Sequence, residues 1–130
     1  MRMQINLPGG DQVDAVFGDQ TITTNQDGSA PAPFELFLAS MGTCAGIYVA
    51  KFCQRRGIPT DGVTIEQRTI PDPDSGLVGK LEIEIRLPED FPEEYRDAVV
   101  RSAQLCTVKK HLERPPAIAV STTKASVASN

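Results

Sequence analysis

A chain of 130 residues is one domain, long enough to bury a core and too short for two. With 17 acidic against 13 basic side chains and a pI near 4.9, its surface is mildly acidic; no basic stripe or aromatic platform is visible, which argues against nucleic acid as the main partner. Three cysteines without a C-x-x-C spacing are too few, and odd in number, for a secreted disulfide scaffold. The opening MRMQINLPGG has no apolar signal-peptide core, so the expected compartment is the cytoplasm, where a cysteine is either a small buried hydrophobe or chemistry.

Residues 3–7 and 12–17 alternate in the strand period, with Pro8-Gly9-Gly10 as the turn between them, and a short third strand, Gln20 to Thr24, follows Gly18-Asp19. Together they predict a small antiparallel sheet with one dry face. After a loop at 25–29 and the stiff Ala30-Pro31-Ala32-Pro33, the stretch PFELFLASMGTCAGIYVAKFCQRRG, Pro33 to Gly57, predicts a long helix. Proline suits its first turn, and Gly57 followed by Pro59 is a C-terminal stop. Ser40, Thr43, Lys51 and Gln54 interrupt it too often for a membrane span, so it reads as the central buried helix of a soluble domain.

Beyond it, Val63, Ile65, Gln67 and Thr69 alternate, and an exposed connection at 71–76 leads to Lys80 to Leu87, the clearest strand in the chain. Leu81, Ile83, Ile85 and Leu87 share one face of that strand. Glu82, Glu84 and Arg86 on the other must be solvated or paired. A second helix is predicted from Asp90 or Phe91, with Pro92-Glu93-Glu94 in its first turn and Tyr95, Ala98, Val99, Ser102 and Ala103 on its apolar face. Thr107 to Arg114 reads as a short helix stopped by Pro115-Pro116, Ala117 to Val120 as a last strand, and 121–130 as a polar tail expected to fray. The order β-β-β-α-β-β-α-α-β indicates a single α+β domain over 1–130, with helices packed on antiparallel sheet.

At about 100° per residue, Phe37, Ser40, Met41, Tyr48 and Lys51 share the face of Cys44. Cys53, nine residues on, points to the opposite face and is expected in the core. Cys106 lies where one helical segment ends and the next begins, a position whose free N–H groups favour a thiolate, and Lys109 and Lys110 add positive charge nearby. A thiol in apolar surroundings is inert, so a packing role for Cys44 stands beside a chemical one. The small residues from Ala39 to Gly46 are expected to leave space beside its sulfur, as a narrow apolar pocket suited to an alkyl chain. His111, the only histidine, reads as a surface residue; no metal and no cofactor is expected. Glu82/Glu84 and Glu93/Glu94 read as solvated faces, and Tyr48 as a core residue or a hydrogen-bond donor to a ligand oxygen.

The run Pro33-Phe34-Glu35-Leu36-Phe37-Leu38-Ala39-Ser40-Met41-Gly42-Thr43-Cys44, the helix tail Arg55-Arg56-Gly57-Ile58-Pro59 and the later Cys106-Thr107-Val108 resemble the OsmC/Ohr family signature, P-x-E-L-x-L-A-x-x-G-x-C, over roughly residues 30–122. The resemblance implies an OsmC-like α+β fold, antiparallel sheets wrapped around the long buried helix, in an intertwined homodimer with two sites at the subunit interface. It also implies a thiol peroxidase for organic hydroperoxides: Cys44 attacks the peroxide and becomes a sulfenic acid, Cys106 resolves it to a disulfide, and an external dithiol reduces the bridge. No membrane or nucleic-acid partner is implied.

Peroxidases of the family also use an arginine from the N-terminal sheet and a glutamate ten residues before the cysteine. Here that position is Phe34, and no arginine lies between Met3 and Ala50. Glu35 matches the OsmC-like branch; on a straight helix it faces nearly opposite Cys44, so it either caps the helix or reaches the site through a kink or across the dimer. Without a cation beside it, the Cys44 thiol is expected to keep a high pKa unless Lys51 or Arg55 substitutes. The alternatives to an enzyme are a dimeric binding module for a small apolar ligand, a thiol redox sensor, or a structural dimer whose cysteines only pack.

Overall fold

Gly10 and Gly18, both with positive φ near 55–58°, begin the two-residue turns that join the first three strands. In the computed structural model, which describes residues 1–124, these are β1 (Gln4–Gly9), β2 (Gln12–Phe17) and β3 (Gln20–Thr24), an antiparallel sheet in that order. Strand β1 runs on past the expected turn because Pro8, which has no N–H for the ladder, falls within the bulge between Asn6 and Gly9. The register aligns Ile5, Ala15 and Ile22 in one column. That column and Leu7 form the predicted apolar face, yet Ile5 (53%), Leu7 (77%) and Ile22 (37%) stay exposed, because nothing else in the described chain covers them.

Helix α1 spans Pro33–Arg55, as its composition predicts. Its end is a Schellman turn: Gly57, at φ 66°, donates to the Gln54 carbonyl, and Ile58 N–H donates to the Cys53 carbonyl at 2.9 Å. By length and composition α1 could cross a membrane, but its stripe Met41, Ala45, Val49, Phe52 and Cys53 is buried against the rest of the chain. The Arg56 guanidinium lies 3.7 Å from the Phe52 ring centroid and covers the helix's last turn.

The hairpin β4 (Thr64–Pro71) and β5 (Val78–Arg86) packs on α1 through Ile65, Ile83 and Ile85, flanked by Val63 and Leu87. Its outer face is a lattice of ion pairs, Arg68 with Glu66 (2.8 Å) and Arg86 with Glu84 (2.7 Å) and Glu66 (3.0 Å). Being exposed, these contribute solubility more than stability. They also account for the carboxylates on that strand, Glu82 included, which pairs with Lys80.

The second helical region starts later than the sequence predicts. Phe91 is turned into the core at 4% exposure by a turn in which its N–H donates to the Pro88 carbonyl at 3.0 Å; a 3-10 turn at Glu93–Tyr95 then leads into α2 (Arg96–Ala103), and α3 follows at Thr107–Glu113. Glu93 pairs with Arg96, as a solvated residue would. The core joins Ala45, Val49, Phe52 and Cys53 of α1 to Phe91, Val99 and Ala103. The strand expected at Ala117 to Val120 is not formed. A strand needs a partner edge, no strand among the described residues pairs with it, and Ile118 and Val120 are left exposed. Of the tail expected to fray, 121–124 is irregular and exposed, and 125–130 lies outside the described residues.

Candidate thiol site

Two cysteines of α1 have opposite surroundings. Cys53 is fully buried in the core, and burial pushes its thiol above the ordinary 9.0, with the Arg56 charge pulling weakly the other way. Cys44 is partly exposed and faces the start of α3. There Cys106, 1% exposed, is the residue before the first turn, and its Sγ accepts the Lys109 N–H at 3.5 Å, the place a serine or aspartate cap would take.

The junction lowers the Cys44 pKa. Burial raises it, but hydrogen bonding to the thiolate from the Val108 N–H, the Cys106 thiol and the Thr107 N–H outweighs burial. This corrects the expectation that a thiol without an adjacent cation keeps a high pKa: backbone N–H groups of α3, not a cation, lower it. It also corrects the reading of Cys106 as the favoured thiolate. Burial raises the Cys106 pKa, and so do its hydrogen bond to Cys44 and the Cys44 charge, while the Lys109 N–H offsets only part. Nor do the two lysines act on the sulfurs: the Lys109 Nζ pairs with Glu113 at 3.2 Å, and neither lysine charge is among the causes of either shift. Of the two facing thiols, Cys44 is thus the one inclined to lose its proton and Cys106 the one inclined to keep it.

Of the supporting residues singled out by sequence, only Tyr48 reaches the junction. Its hydroxyl pairs with Thr107 Oγ1 at 3.0 Å rather than facing a ligand, and its carbonyl accepts Ser102 Oγ–H at 3.3 Å. Glu35 caps α1, its Oε1 accepting the Ala32 N–H at 2.8 Å. Lys51 is exposed and is not among the groups that act on the Cys44 sulfur. His111 is tied to its own helix through Nδ1 and the Thr107 carbonyl (2.8 Å), and among the described residues no three metal-ligating side chains converge. What sequence missed is which thiol the first turn of α3 serves: its free N–H groups, expected to act on Cys106, act on Cys44. The signal for that turn was the Cys-Thr-Val run opening a short helix, whose N–H groups any capping analysis leaves free.

The small residues of α1 do not make room beside the sulfur. Gly42 and Gly46 admit β4 on the far side: a Cβ on Gly42 would sit 2.7 Å from Gln67 Oε1, and Gly46 approaches Ile65. Gln67 is pinned there by Nε2–H donating to the Leu38 carbonyl at 2.9 Å. An apolar groove of about 490 Å³ follows that side, lined by Leu38, Gly42, Gly46, Val49, Val63 and Ile65 and by no cysteine. A second cavity of about 280 Å³ lies beside the thiol helix, between Met41, Ala45, Leu81, Ile83, Val100 and Ala103, with Lys109 at its edge.

The profile of the OsmC-like protein family matches residues 26–121. Among solved structures, the chain is similar to a Psychrobacter arcticus 273-4 protein assigned to the osmotic stress and detoxification response (TM-score 0.69, 19% identity, 83% of this chain and 85% of that one). It is similar also to an organic hydroperoxide resistance protein OsmC from Legionella pneumophila (TM-score 0.54, 17% identity, 86% and 89%). A third is the organic hydroperoxide resistance protein OhrB of Bacillus subtilis (TM-score 0.51, 15% identity, 88% and 93%). At these identities the similarity is one of fold. No protein with a curated description matches the chain by sequence.

Proposed function

This chain belongs to the OsmC-like family, a family of peroxide-stress redox proteins, and on that premise we propose that it reduces organic hydroperoxides through Cys44 and Cys106. The observation that carries the reading is the pairing of a lowered thiol with a raised one across the α1–α3 junction. The Cys44 thiolate attacks the terminal oxygen of R–O–O–H; an S–O bond forms, the O–O bond breaks, and the departing alkoxide takes up a proton to leave as alcohol. The Cys106 thiol then attacks the sulfenic sulfur, forming the disulfide as the hydroxyl leaves with a proton as water. An external dithiol, by two exchange steps, returns both cysteines to thiols and is itself oxidised.

The proposed working unit is a homodimer. The exposed apolar column Ile5–Ile22 with Leu7, and the unpaired Ile118 and Val120, support a second copy covering what one chain leaves open. Sedimentation at micromolar concentration tests this: a monomer mass removes the dimer.

The test of the activity is loss of tert-butyl hydroperoxide in the presence of a dithiol, with wild type against Cys44→Ser. Equal rates for the two end the enzyme reading. A second reading, a non-catalytic module holding a small apolar ligand, is favoured by the 280 Å³ cavity beside α1. Retention of an apolar fluorophore by a protein that turns over no peroxide would select it.

A further inference from the structure

We propose that Tyr48 is a positioning residue: its hydroxyl, bonded to Thr107 Oγ1, pins the first turn of α3 against the Cys44 sulfur. Tyr48 lies four residues after Cys44, one turn along the same face of α1. It is bonded to both helices that flank the Cys106 junction. Its carbonyl accepts Ser102 Oγ–H from α2, and its hydroxyl meets Thr107, the first residue of α3. Thr107 is at once the residue whose side chain is tied, at 3.0 Å, and one of the two whose backbone N–H lowers the Cys44 pKa. A short helix held by few bonds is free to shift by fractions of an ångström, and hydrogen bonds to sulfur weaken with such shifts. A side-chain tie on its first residue removes that freedom where it matters.

The groups around the sulfur leave α3 as the main stabiliser. Cys106 is the titratable side chain that acts on Cys44; on α3, Lys109 pairs with Glu113, and His111 is turned to the Thr107 carbonyl. Lys110 and, on α1, Lys51 and Glu35 are not among the groups that shift Cys44. With no cation to compensate, loss of the Tyr48–Thr107 bond falls directly on the thiolate. The inference rests on Cys44 being the reactive thiol of the proposed function, but not on the oxidant it meets.

The test is the pH profile of iodoacetamide alkylation at Cys44, followed by peptide mass spectrometry on the full chain, for Tyr48→Phe, Thr107→Val, Thr107→Ser and the Tyr48→Phe/Thr107→Val double variant. Each single loss of the bond is expected to raise the pH of half-maximal alkylation and to slow labelling at neutral pH by roughly threefold to tenfold. The double variant should add nothing further, and Thr107→Ser, which keeps a hydroxyl, should stay near wild type. A thermal melt on each variant reads stability separately; a merely structural bond would move the melt and leave the profile alone. Should Tyr48→Phe fail to fold, Thr107→Val carries the test. Unchanged profiles in folded variants, or additive shifts in the double variant, overturn the inference. Because alkylation reads the thiolate without peroxide, a profile that moves as expected in a protein inert to hydroperoxides would separate this inference from the proposed activity.

Discussion

Cys44 and Cys53 sit nine residues apart on one helix, and their chemistry diverges because of what stands opposite each. Cys53 faces Val99, Phe91 and the rest of the core, where no donor meets its sulfur and burial holds the proton on. Cys44 faces the open end of α3, where backbone N–H groups and the Cys106 thiol outweigh the same penalty. Helix position alone would assign both as buried small hydrophobes. The difference teaches that thiol acidity here is set by the element packed across from the sulfur, and each prediction below removes one side of that contrast.

The largest expected effect is on peroxide-driven bridging. Cys44→Ser should abolish the disulfide that tert-butyl hydroperoxide forms, read as the loss of two free thiols per chain, whereas Cys53→Ala should bridge as wild type does. Bridging that survives in Cys44→Ser would transfer the chemistry to another cysteine. On the core side, Phe52→Ala should cost about 3–5 kcal/mol in a urea melt, because it empties a buried site at 6% exposure and leaves the Arg56 guanidinium and the Tyr95 ring without the aromatic face they pack on. Cys53→Ser, which buries a hydroxyl with no partner in view, should cost roughly 1–3 kcal/mol. A Cys53→Ser variant as stable as wild type would show that the sulfur has room and water beside it.

Much of this architecture was legible in the sequence, and the misses share a cause. The period-2 runs of β2, β3 and β5 and the apolar length of α1 are local signals, and they located those elements to within two residues. Gly57 marked the end of α1 because only a positive φ completes the Schellman turn. What stayed hidden depends on residues far apart in sequence. Phe91 is drawn into the core by α1 and α2, so the second helix starts late; Ala117 to Val120 has strand chemistry but pairs with no strand among the described residues. Gly42 illustrates the same limit. As one of several small residues near Cys44 it suggested space beside the sulfur, whereas its role is to let Gln67 of β4 approach from behind. Gly42→Ala should therefore cost on the order of 1 kcal/mol or more, since the Gln67 amide must give up its bond to the Leu38 carbonyl. In a Gln67→Ala background the same substitution should be nearly neutral, and a cost that persists there would place the crowding elsewhere.

The smallest effect is the dependence of stability on pH. A thiol is an acid, so a folded-state pKa below that of the unfolded chain means that the folded protein releases the proton first. Cys44 should add stability as pH rises from its lowered value toward 9.0, and that contribution should be lost as pH falls back through the lowered value. Cys106 and Cys53 run the other way: their raised values favour the protonated folded state, so their stabilisation holds below 9.0 and fades as pH climbs from 9.0 through the raised values. Because the Cys106 shift draws partly on Cys44, one substitution alters both. Chemical melts of reduced wild type and Cys44→Ser across this range should show the wild type gaining on the variant below pH 9.0, with the gain levelling above it. A constant difference between the two at every pH would mean that the α3 dipoles do not distinguish thiolate from thiol, and the contrast with Cys53 would reduce to one of exposure.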